Sequence, residues 1–516
     1  MAYFYLVLLY LGFGSGLLLL GTSAIPRLAV LRKPLSAGAV TLVALVWALS
    51  PSAGRWVLSV WAPSSVTGGW LVLDMHPELW WAVLAILATF SGVLWVTVGE
   101  RLPDPAPTGS LLLIYLTVMW LALASGSLLL TLAMWACIDI IWFLGRLTDT
   151  ADGERVVWAA AVGGVSSILL WSVSLFLTVQ GTSGLWWLMR PSEPVHILLV
   201  VAGLMRMGFY PFQVVHSETW GHSRALTVAC AISPLMGVGL LYRALSLPAA
   251  PALPDWVLVW GAISVFWSGL KALSYRGRRA LLPAANGLLL AIATGAIAAT
   301  DPAGLVIGAG VWVAGVGLLA MSRRYEPRGF VWSWPTVIAL LTLAGAPPSP
   351  LFGLTYSVFQ HAPWYVQVLY GLGFAFVVAS IVRGSALTAE GRVGPPHARR
   401  RLPMAAGLLF LILTVVVMGR VSRVPSIAAV PFALWLTVCT AGFALALWGD
   451  RVHVARSNMR PLLELLDLQW LYRSVWQGAG NLLGVVRATA EVVEGSGSVL
   501  WSVVILLLVL MVIGYR

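Results

Sequence analysis

Apolar runs of about 20 residues, the length that carries a helix across a bilayer core, recur from one end of this sequence to the other. They fall near residues 3–21, 35–50, 78–98, 110–126, 127–145, 156–179, 196–215, 224–243, 255–273, 280–299, 303–321, 332–358, 363–383, 404–419, 427–448 and 497–514. Backbone polar groups in hydrocarbon must be satisfied within the segment, so runs of this length predict helices. The expected fold is an all-α integral membrane protein of about sixteen spans. Composition agrees: of 516 residues, 60% are hydrophobic and 10% charged, against about 25% charged in ordinary soluble chains. The first run lacks a basic flank and a small-residue cleavage site, so it reads as a permanent span and not as a signal peptide.

The loops carry the charge. Starting outside and alternating places 24 of the 31 Lys and Arg residues in inner loops and six in outer ones, with Arg206 left inside a span. That bias predicts a multi-pass protein of a prokaryotic-type inner (cytoplasmic) membrane with its N-terminus outside. The net charge of +12 is spread over short loops, which suits lipid headgroups and argues against nucleic acid. The three cysteines, Cys137, Cys230 and Cys439, each sit in an apolar stretch, which excludes a disulfide framework or a cysteine-rich metal site.

Two segments read differently. Residues 54–75 alternate apolar and polar side chains around Gly68-Gly69, predicting an outer-face hairpin. Residues 460–495 space Arg460, Glu464, Asp467, Arg473, Gln477, Asn481, Arg487, Glu491 and Glu494 near helical turns, with Leu, Val and Trp between. That pattern predicts an amphipathic helix on the inner surface leading to the last span.

Two spans are interrupted by proline, at Gly208-Phe-Tyr-Pro211-Phe and at Gly345-Ala-Pro347-Pro348-Ser-Pro350. One such break is a packing kink or a functional unwinding. Two in corresponding places point to an internal repeat built around a transport path, because unwound backbone at membrane depth must be buried or line a wet cavity. The expected organisation is N-terminal spans with the hairpin (1–105), a first five-helix repeat (106–250), a second inverted one (251–390), C-terminal spans (391–455), and the surface helix with the final span (456–516).

Ionisable residues at membrane depth are few and costly. Asp139 and Arg206 lie within spans and exist most cheaply as a pair, as part of an ion relay or as a structural bridge. His216, Glu218 and His222 follow the first broken span. They form either an inner proton entrance, since imidazole titrates near neutral pH, or a solvated loop; as a metal set they are weak. No catalytic motif, metal site or cofactor-ligating set is evident, and no cofactor is expected.

Five stretches carry a family resemblance: GGWLVLDMHPELWW (68–81, with Asp74), LASGSLLLTLAMWACIDIIWFLG (123–145), MRMGFYPF and its continuation (205–245), LSYRGRRALLPAANG (273–287) and LAGAPPSPLFGLTYSVF (343–359). In order and spacing they resemble the antiporter-like, proton-conducting subunits of respiratory complex I, Mrp-type cation/proton antiporters and membrane-bound hydrogenases. LDLQWLYR (466–473) resembles a stretch of the hydrogenase and Mrp subunits, and the surface helix resembles the lateral helix of the largest complex I member. The resemblance departs at the relay positions. The family's fifth-span glutamate falls on Ala136, with Asp139 three residues on. Its seventh-span lysine falls on Arg206, its eighth-span histidine on Ala229, and its twelfth-span lysine or glutamate on Thr355. Lys33 and Lys271 are the only lysines. Arginine, unlike lysine, does not release its proton in a protein.

The resemblance implies a membrane-arm subunit of a complex I-like or hydrogenase-like assembly, coupled to proton translocation along a partly degenerate path and partnered by other membrane-arm and peripheral subunits. It also admits the membrane subunit of a DAB-type inorganic-carbon uptake system energised by proton flow, and a non-conducting scaffold. A free-standing cation exchanger fits least, because carboxylates that could hold a metal cation are too few.

Overall fold

The computed structural model describes residues 2–23, 25, 28–60, 70–98, 108–149, 153–215, 228–229, 233–248, 250–275, 280–322, 330–346, 349–386, 398–421 and 428–448, and beyond these 470, 474, 477, 478, 481 and 484. The chain forms two compact units, residues 1–453 and 454–516.

The first unit opens with α1 (Ala2–Ser23) and α2 (Ala29–Ala48), followed by an antiparallel hairpin of β1 (Gly54–Val60) and β2 (Trp70–Met75). Next come α3 (Pro77–Val98), α4 (Thr108–Leu123), α5 (Leu128–Asp149), α6 (Gly153–Val179), α7 (Glu193–Arg206), a 3-10 turn at Phe212–Val215, and α8 (Leu235–Leu245). The later part holds α9 (Asp255–Ser274), α10 (Leu281–Ala299), α11 (Pro302–Ser322), α12 (Phe330–Leu343), α13 (Pro350–His361), α14 (Trp364–Ala386), α15 (Ala398–Val421) and α16 (Ala429–Leu447). Among the described residues, eleven helices are long and apolar enough to cross a membrane, and three apolar helices are shorter. The chain is a multi-pass, all-α membrane protein. The expected span at 332–358 is two helices, α12 and α13, and that at 196–215 is a helix, a break and a turn. The expected final span at 497–514, with Pro347 and Pro348, lies outside the described residues.

These helices are apolar on nearly every side, as a helix must be when it faces either protein or lipid. α3 sits among α2, α11 and α15. Helices α4 to α8 pack each on the next, whereas α9 packs on α10 and α14, and α10 on α11 and α13. α8 and α11 pack across from one set to the other. Large rings fill the tightest places, with Trp47, Trp120, Trp135 and Trp312 fully buried.

The hairpin forms where the alternation predicts it, with Arg55 opposite Asp74 and Trp56 opposite Leu73. Small residues between α4 and α5 extend it: Asp74 N donates to Ala124 O at 2.8 Å and Gly126 N to Val72 O at 2.7 Å. Leu128 N in turn donates to Gly184 O at 2.9 Å, and Trp186 N to Gly126 O at 3.2 Å. Three connections that the charge alternation puts on one face thus meet in one sheet-like patch.

Both broken helices end in the same way. Gly208 and Gly345 have φ of +81° and +67°, in the left-handed region. Around the first, Gly208 N donates to Met205 O and Phe209 N to Leu204 O; around the second, Gly345 N donates to Thr342 O and Ala346 N to Leu341 O. This paired pattern is the Schellman motif, which needs glycine at its left-handed position. Gly345→Ala is therefore expected to cost about 1–2 kcal/mol, read as a lower Tm in mild detergent. Gly14→Ala, in an open helical position, is expected to leave Tm unchanged or raise it.

In the second unit the described residues, Trp470, Ser474, Gln477, Gly478, Asn481 and Gly484, are helical and exposed, and Ser474 Oγ donates to Trp470 O at 2.9 Å. Apart from the adjacent pair Gln477 and Gly478, they follow one another at steps of three and four, the spacing of one face of the expected amphipathic helix.

Candidate functional site

α5 carries Asp139 on the turn after Trp135, and α7 delivers Arg206 as its last residue, just before the glycine that ends it. The two meet as the sequence predicts: Arg206 Nη2 donates to Asp139 Oδ1. From α6, Ser167 Oγ donates to Asp139 Oδ2 at 3.2 Å. The guanidinium carbon lies 5.3 Å from the centre of the Trp135 ring, a cation–π contact that adds to the pair. Gly163 on α6 makes room, since a Cβ there would stand 2.7 Å from Arg206 Nη1. Arg206 is 4% exposed and Asp139 27%, so the cation is enclosed and the carboxylate sits at the edge of the packed interior. Gly163→Leu is expected to displace the guanidinium, with a loss of stability that Gly163→Ala shows only weakly because the arginine tip can yield.

The break after Arg206 is held from another helix. Tyr210 N donates to Ser264 Oγ at 3.0 Å, and Trp260 Nε1 donates to Tyr210 O at 2.5 Å. Both partners lie on α9, and they satisfy peptide groups that the interrupted helix leaves free. Pro211 stands within this break. At the second break, Ser349 Oγ caps α13 by accepting from Leu351 N at 3.3 Å, and Pro350 takes the first helical position. Thr355 is fully buried on α13. Ala229 is buried too, and its carbonyl accepts from Tyr115 Oη at 3.4 Å. His216, Glu218 and His222 lie outside the described residues.

A second ionic cluster was not legible from the spans. Asp74 is buried, and two arginines and a histidine converge on it. Arg243, at the end of α8 and 6% exposed, donates through Nη1 to Asp74 Oδ2 at 2.7 Å and through Nη2 to Asp74 O at 2.5 Å. Arg55 Nε donates to Asp74 Oδ1 at 3.0 Å, and His76 Nε2 lies 3.2 Å from Oδ2. Arg55 also lies over the Trp187 ring at 4.5 Å. Burial by itself would raise the Asp74 carboxyl; the His76 hydrogen bond, the Arg243 charge and Arg55 together outweigh it and hold Asp74 well below the usual carboxylate range. Arg243 counts in the sequence as an outer-loop cation, whereas the structure buries it. The usable signal was Arg55 facing Asp74 across the hairpin.

No group of three or more His, Cys, Asp and Glu able to hold a metal is found among the described residues. No protein-family model and no curated protein matches the sequence. Solved structures do. A chain of the Mrp complex from Dietzia sp. DQ12-45-1b superposes with a TM-score of 0.71 at 16% identity, over 99% of this chain. This chain spans 63% of that longer one. A chain of respiratory complex I from Thermus thermophilus gives 0.66 at 15% identity, over 86% of this chain and 99% of its own length. The protein has the antiporter-like membrane-subunit fold. A chain of the membrane-bound sulfane sulfur reductase, an archaeal respiratory membrane complex, gives 0.65 at 15% identity over 98% and 99%. The antiporter-like fold thus extends over nearly the whole chain.

Proposed function

We propose that this antiporter-like chain is a membrane-arm subunit of a complex I-like or hydrogenase-like assembly, in a prokaryotic-type cytoplasmic membrane with its N-terminus outside. In this reading it couples to proton translocation through one charged pair, Asp139–Arg206, with His216, Glu218 and His222 at the inner entrance. The observation that carries the reading is the pair itself: a buried cation and a partly accessible carboxylate at the break of α7. Proline-broken helices at matching places, at Pro211 and at Pro347, Pro348 and Pro350, support two inverted repeats, and the shared Schellman ending supports them further.

Arg206 keeps its proton, so Asp139 is the group that changes charge. A proton arriving on Asp139 removes the charge that holds Arg206, so protonation loosens the pair. Ser167 can hold the neutral acid as it holds the carboxylate. Asp139→Asn in the assembled complex in sealed vesicles is expected to abolish driven proton movement while the complex stays assembled. Unchanged pumping would remove Asp139 from the path. Arg206→Lys is expected to be tolerated where pairing is the role, checked by recovery of assembled complex and by the same flux assay. The arginine favours a second reading, a scaffold in which the pair only ties α5 to α7. Under that reading Asp139→Asn lowers stability and leaves the flux of the whole assembly untouched.

A further inference from the structure

The two breaks share a backbone motif but not their surroundings. In the first half the helix before the break ends on a charge. In the second half no Asp, Glu, Lys, Arg or His lies within α10, α11 or α12, and on α13 the one such residue is His361, its last. Asp255, Lys271, Asp301 and Arg383 all stand at or near helix ends.

What fills the place of the missing group comes from outside the repeat. α16 brings Phe432 and Trp435 against α13. The Phe352 ring meets Trp435 at 4.9 Å and 86°, and Phe432 at 6.1 Å and 77°, both edge-on. Phe352 also stacks on Tyr356 at 5.3 Å. Trp435 Nε1 donates to Thr355 Oγ1 at 3.2 Å, while the Thr355 hydroxyl donates back into its own helix, to Leu351 O at 3.0 Å. Its donor and one acceptor site are used. Tyr356 Oη accepts from Ala428 N at 2.8 Å and donates to Ala428 O at 3.3 Å. Ser357 Oγ donates to Gly295 O at 2.8 Å on α10. Thr355, Tyr356, Trp435 and Phe352 are each 3% exposed or less.

We infer that the second broken helix is sealed by an aromatic plug carried on α16, with Trp435 as its keystone, so that any ion moving through this chain uses the first half alone. A file of water at membrane depth needs polar walls, because a buried polar group without a partner costs free energy. Here, among the described residues, the hydroxyls of Thr355, Tyr356 and Ser357 are already paired with protein, and the wall toward α16 is aromatic. The inference goes beyond the Asp139–Arg206 reading and does not depend on it, since it concerns a different pair of helices.

The test is thiol accessibility in the full-length protein in its native membranes, with Cys137, Cys230 and Cys439 replaced by alanine. Thr355→Cys is treated with a small water-soluble methanethiosulfonate cation from each side, with denatured protein giving the full extent of reaction. Thr355→Cys is expected to stay unreacted in the native chain and to react once Trp435→Ala is added, in protein that still elutes as the intact assembly. Reaction of Thr355→Cys with Trp435 in place would overturn the seal. Continued protection after Trp435→Ala would overturn the role given to Trp435. Phe432→Ala serves as the milder second variant, with slower reaction expected, and protection equal to that of the native chain counts against the plug.

Discussion

Asp139→Leu is expected to destabilise the protein sharply, and adding Arg206→Met to the same chain is expected to restore most of the loss. The single change leaves a guanidinium that is 4% exposed without its anion, and removing one partner of a buried pair costs about 3–5 kcal/mol. The double change removes both charges, and well-packed apolar replacements of buried pairs are often neutral or better. Because Asp139 is 27% exposed, the loss should fall at the lower end of that range. Thermal unfolding in mild detergent reads the stability, and proton uptake by vesicles reads the function. A double variant that is stable but silent fits a pair that works; one that is stable and still conducts reduces the pair to a tie between helices. A double variant as unstable as the single one would place the damage in packing around Trp135.

The second large effect is expected at the hairpin. Asp74→Asn leaves Arg243, 6% exposed, facing an amide, and the same reasoning predicts a loss of about 3–5 kcal/mol. The pH dependence follows from the sign of the shift. The Asp74 carboxyl is held below its ordinary value in the folded protein, and its unfolded value is about 3.9. Its contribution is therefore complete above about pH 4 and is lost progressively as the pH falls below that, toward the depressed folded value. Tm followed from about pH 6 down to about pH 3 should fall more steeply in the native protein than in Asp74→Asn. Parallel curves would mean that other carboxylates govern acid sensitivity.

The fold was legible because its dominant signal is long-range and redundant: apolar runs of spanning length, and glycine–proline breaks where the helices do break. The Asp139–Arg206 contact was legible for a different reason. Two opposite charges stranded among apolar residues have few ways to be satisfied. The Asp74 cluster was not legible, because Arg243 lies at a span end, where an arginine is ordinarily solvated, and nothing local says that a strand 169 residues earlier will cover it. Thr355 shows the same limit from the other side. Its type says only that no charge stands there, but the side chains that close over it come from α16, 77 residues or more further along the chain. Span 332–358 read as one helix because apolar composition continues through the break, and hydropathy does not register a change of backbone direction.

The hydrogen bonds that Trp260 and Ser264 make to Tyr210 have a mechanical meaning. The peptide that closes the charged helix is hung from α9, which packs on α10 and α14, with a donor on one side and an acceptor on the other. Tilting α9 therefore pulls on the joint immediately behind Arg206, and swinging Arg206 away from Asp139 pushes back on α9. A helix that carries no ion itself is then still a moving part: a lever whose load is the Asp139–Arg206 pair across the hinge.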